Sequence, residues 1–131
     1  MQQGHKARVG DVLELVLPPT LSASLGAAFE SPVGVWEGDG ITVVVDATMY
    51  ADELGPASAP PHAVTASEEI GGRPARMVSW DEDDGARVVA ARFDAAPGTG
   101  SARSGVTAVV RAAPQVACDI PLRILRSVRF L

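Results

Sequence analysis

Apolar and polar residues alternate along much of this 131-residue chain, with the period of two that marks a strand burying one face. In "VLELVLP", Leu13, Leu15 and Leu17 fall on one side and Val12, Glu14 and Val16 on the other; Pro18-Pro19 ends the run. "GVWEGDGITVVVDATM" reads as a hairpin: Val35-Trp36, a Gly-Asp-Gly turn, then a strand from Ile41 to Thr48 with Ile41, Val43, Val45 and Ala47 on one face. "HAVTASEEI" fits an edge strand, and after Gly71-Gly72 a strand runs from Pro74 to Trp80. Ala86 to Phe93 and Val106 to Ala112 supply two more.

Helical spacing occurs twice. Leu21, Leu25, Ala28 and Phe29, with Thr20 as N-cap, fit a short helix, but Gly26 weakens it by about 1 kcal/mol and leaves an ordered loop equally open. Val116, Ile120 and Ile124 recur every four residues. Pro121 belongs in a first turn, Asp119 is the natural N-cap, and Arg123 and Arg126 complement the dipole of the last turn before "SVRF" leaves as a short strand. Residues 51–62 and 95–104 carry no period and read as flexible surface loops within a single domain spanning 1–131. The sum is an α+β domain: a mostly antiparallel sheet of about six strands with the C-terminal helix packed on one face, in the manner of an α/β/α sandwich.

Composition sharpens this reading. Hydrophobic residues make up 47% and aromatics 5%, so the core is expected to consist of small β-branched side chains around Trp36, Trp80, Phe93 and Phe130. Net charge is −5 and no basic stripe precedes the C-terminal arginines, which argues against nucleic acid as a partner. The single cysteine, Cys118, excludes an internal disulfide and a cysteine-based zinc cluster; a small buried filler is its expected role. No apolar run approaches the roughly 20 residues of a membrane span. "MQQGHKARVG" has no apolar core of a signal peptide, which places the chain as given in the cytoplasm, or in the periplasm or outside if an export segment was removed.

Candidate chemistry concentrates in "SWDEDDGARVV", Ser79 to Val89. A two-residue Asp84-Gly85 turn would set Glu82 against Arg87, Trp80 against Val89, Val78 against Ala91 and Arg76 against Phe93. A three-residue loop would instead oppose Arg76 to Arg92, an unfavourable like-charge pair, so the two-residue turn is expected. Asp81, Asp83 and Asp84 at this tip are the only candidate metal ligands, for calcium; their spacing departs from an EF-hand, and a solvated hairpin tip is the stronger reading. Arg73 and Arg76 in "GGRPAR" and the loop residue His62 are candidates for contacting an anionic or protein partner; as a catalytic base His62, with Asp52 or Glu53 nearby, has no held geometry. "GSARSGVT" has the spacing of a phosphate loop, but Val106 stands where its lysine must be. No cofactor is expected.

"GVWEGDGITVVVD", "IGGRPARMVSWDEDDGARVVAARF" and "ILRSVRF" together resemble, in order of elements, the Mog1/PsbP-like α/β/α sandwich. Some bacterial envelope lipoproteins and type VI secretion immunity proteins share that architecture. The resemblance implies a non-catalytic accessory or protein-binding domain, associated with the bacterial envelope or with secretion. It transfers no binding residue, and the chain lacks a lipobox cysteine near its start. The alternatives are a small-molecule binder or hydrolase with a pocket between sheet and helix, using for example Asp46, His62 and Arg92, and a calcium-dependent binder at the acidic tip.

Overall fold

The computed structural model describes residues 4–9, 13–23, 33–46, 60–94 and 105–130. The alternating segments form the expected strands. In β1 (His5–Val9) and β2 (Leu13–Leu17), Ala7, Val9, Leu13, Leu15 and Leu17 are buried while their neighbours face outward. β3 (Ser22–Ala23) is two residues long, so from Thr20 to Ala23 the backbone is a turn and a strand where a helix was one of two expectations; residues 24–29 of that segment lie outside the described residues. β4 (Val33–Gly38) and β5 (Ile41–Asp46) are joined by Asp39-Gly40. Both turn residues have positive φ, 50° and 76°, as a tight hairpin turn matching the strand twist requires. β6 (Val64–Ile70) and β7 (Arg73–Asp81) are joined in the same way by Gly71 and Gly72, at 60° and 81°.

β8 (Arg87–Asp94) and β9 (Gly105–Ala112) follow, then α1 (Ile120–Arg126) and β10 (Arg129–Phe130). Pro121 lies in the first turn of α1 and both arginines in its last turn, as the sequence predicts. Asp119 occupies the N-cap position, but its carboxylate reaches Arg123 at 2.6 Å and makes no cap hydrogen bond.

All strand pairings are antiparallel, and they form two sheets. The larger has the order β3-β4-β5-β9-β8-β7-β6 and the smaller β1-β2-β10. One apolar cluster joins them: Leu13, Leu15 and Leu17 from the small sheet, Val43, Val110 and Phe93 from the inner face of the large one, and Ile124 and Leu125 from α1. Ser127 ties the layers together, its hydroxyl accepting from the Val16 N–H (2.8 Å) and donating to the Ile124 carbonyl (2.5 Å).

This architecture overturns the α+β expectation. Among the described residues there is one helix of seven residues, and the layer opposite the large sheet is chiefly a second sheet. The molecule is mostly β, and the α/β/α layering implied by the resemblance is absent from the described residues. The reason is local: HKARV is too charged to register as a strand by periodicity, yet it pairs with the strongly alternating β2 and, with β10, makes a sheet.

The register of the acidic hairpin is also corrected. Asp81 opposes Arg87, Trp80 opposes Val88, and Arg76 opposes Arg92. The loop is the three-residue Asp83-Asp84-Gly85, closed by the Glu82 N–H donating to the Ala86 carbonyl (2.8 Å) and the Gly85 N–H donating to the Glu82 carbonyl (2.9 Å). Gly85 supplies the left-handed residue, φ 87°, that such a loop needs. A one-residue slip exchanges the faces of a strand. Ala75 and Met77 therefore enter the main core beside Ala91 and Phe93, while Val78 and Ala90 form a second cluster on the outer face with Ala63, Trp80 and Val109. The like-charge opposition is relieved because the two arginines diverge: Arg76 is exposed, and Arg92 is buried and donates to Thr107 Oγ1 at 3.2 Å.

Candidate functional site: a groove beside an open sheet edge

Helix α1 packs over β8 and β9 and against β2, and it stops short of the far edge of the large sheet. Beyond it, the inner face of β6 and β7 is left as a groove of about 420 Å³. Val64 and Ala66 of β6, Met77 of β7 and Val89 of β8 supply apolar surface to it, and Leu122 of α1 supplies more from the helix. The strand alternation that buries Ala75 and Met77 sends these side chains to this face.

Ion pairs flank the groove. On the helix side, Arg126 makes a two-pronged contact with Glu68, Nε to Oε2 at 2.9 Å and Nη2 to Oε1 at 3.1 Å. That hydrogen bond is the main reason the Glu68 carboxyl is held below the usual carboxylate range, against an opposing contribution from burial, and it raises the Arg126 guanidinium correspondingly. At the hairpin side, Arg87 donates to Asp81 at 3.1 Å, and the His62 ring bonds through Nε2 to the Asp81 backbone carbonyl at 3.1 Å.

Three of the four acids at the tip beside the groove are paired with arginines of the same chain, Asp81 with Arg87 as above. Arg111 of β9 reaches Glu82 at 2.8 Å and Asp84 at 2.7 Å, and both contacts raise its guanidinium. The Asp84 carboxyl is held low chiefly by the Ala86 N–H, which donates to Oδ1 at 2.9 Å, and secondarily by Arg111. Among the described residues no group of three or more His, Cys, Asp or Glu side chains is placed to hold a metal ion. Asp81 and Asp84 bind different arginines, and Asp83 is an exposed loop residue.

No protein-family model, no curated protein and no solved structure matches this chain.

The remaining sequence candidates separate. Arg73 and Arg76 lie on opposite faces of β7; Arg73 stacks over the Phe130 ring, 4.1 Å from its centre, and Arg76 is exposed on the outer face. They do not converge on one anion. His62 alone of the interaction candidates lines the groove. Of the pocket polar groups expected between sheet and helix, Asp46 and Arg92 belong to the outer face, so the trio with His62 is not assembled. Cys118 is exposed, which corrects its expected place as a buried filler. Residues 51–59 and 95–104 lie outside the described residues.

A pocket between sheet and helix was among the expectations, but of its expected polar groups only His62 lines the groove, and the apolar lining from β6 was not foreseen. The signal was present in β6, whose inner-facing Val64 and Ala66 continue the apolar alternation although Val64 is 66% exposed.

Proposed function

We propose that this chain is a non-catalytic protein-binding module that receives an extended polypeptide segment along β6. The observation that carries the reading is the open edge of that strand. Seven residues long, β6 has no strand beyond it among the described residues, and Val64, Thr65, Ala66 and Ser67 are all exposed. The opposite edge of the same sheet is the two-residue β3. An open edge offers backbone N–H and C=O groups to an incoming strand, and side chains at alternate positions of that strand would point into the adjoining groove. A non-catalytic role is supported by the state of the ionisable groups. His62 uses Nε2 on a backbone carbonyl and Asp81 uses its carboxylate on Arg87, so Asp81 does not orient the imidazole as a proton relay requires.

Selection of displayed peptides on the wild-type protein tests this, with Ala66→Arg as the counter-target. Expected are binders with alternating apolar residues whose affinity falls by about tenfold or more when the groove is filled by the arginine. Selected peptides indifferent to Ala66→Arg would refute the reading.

A second reading has the groove take a small apolar ligand, since about 420 Å³ lies within the size range of such sites. Trp80 lines the groove, so a saturable change in its emission on adding a hydrophobic probe, lost in Ala66→Phe, would favour that alternative.

A further inference from the structure

We draw no further inference here: the strongest candidate, the open edge of β6 with the apolar groove beside it, belongs to the site already described, and nothing in the structure shows what covers it.

Discussion

Gly34 and Trp36 are two positions apart on one strand, and the indole fills the space that a side chain at Gly34 would occupy. A methyl group there would overlap the six-membered part of the ring, and Trp36, only 7% exposed, has little room to yield. Gly34→Ala is therefore expected to destabilise the fold by about 1–3 kcal/mol, as overpacking does, which urea unfolding will show. Phe93 presents the opposite case. Its ring is fully buried and meets Phe130 edge to face, centres 5.0 Å apart and planes at 74°. Phe93→Ala should cost about 3–5 kcal/mol in the same assay, through lost burial plus the cavity left behind. Phe130→Ala should cost less, because that ring is half-buried, and the difference tests whether the core centres on Phe93.

The β7–β8 hairpin shows how a local rule loses to a neighbouring one. The opposition of Arg76 and Arg92 argues for a two-residue turn, but Asp83-Asp84-Gly85 has the residue at its third position that a three-residue loop demands, and divergent arginines remove the objection. Gly85→Ala should accordingly lose about 1–2 kcal/mol, the penalty of a left-handed residue with a side chain. The positions of β2 and of β4 to β9, the turns at Asp39-Gly40 and Gly71-Gly72 and the place of α1 were legible because alternation, Asp-Gly, Gly-Gly and Pro121 are signals local to the sequence; β1 and β3 were not. Register was not, since it depends on side chains from a third strand, Thr107 beneath Arg92 and Arg111 beneath the acids. Those acid–arginine contacts predict a pH dependence. Glu68 and Asp84 have folded-state values below their ordinary 4.5 and 3.8, so the folded chain releases these protons more readily than the unfolded one. Their stabilising contribution is complete above the ordinary values and is lost as pH falls through the lowered ones. Melting temperature should drop on acidification below about 4.5, and the Glu68→Gln, Asp84→Asn double variant should show a shallower drop over the same pH steps.

At the scale of the whole molecule, alternation tells which side of a strand is buried and is silent on what buries it. Leu13, Leu15 and Leu17 were legible as core, but their partners in the small sheet come from charged β1 and from β10, over a hundred residues away. The lining of the groove was illegible for the same reason: it is drawn from β6, β7, β8 and α1, segments far apart in the sequence. Residues 127–130 do much of this long-range joining. Ser127 links α1 to β2, Val128 is 1% exposed in the main core, Phe130 lies between Phe93 and Arg73, and β10 pairs with β2. Burying an apolar side chain such as Val128 or Phe130 is worth about 1.5–3 kcal/mol, against a total stability of about 5–15 kcal/mol for a domain. Removing residues 127–131 should thus lower the melting temperature by about 10–20 °C. The loss should concentrate where the joint is made. Amide exchange in β1 and β2 is expected to accelerate more than in β5 and β9, which keep both strand neighbours. Uniform acceleration, or an unchanged melting temperature, would show that the small sheet is held by its own hairpin and not by β10.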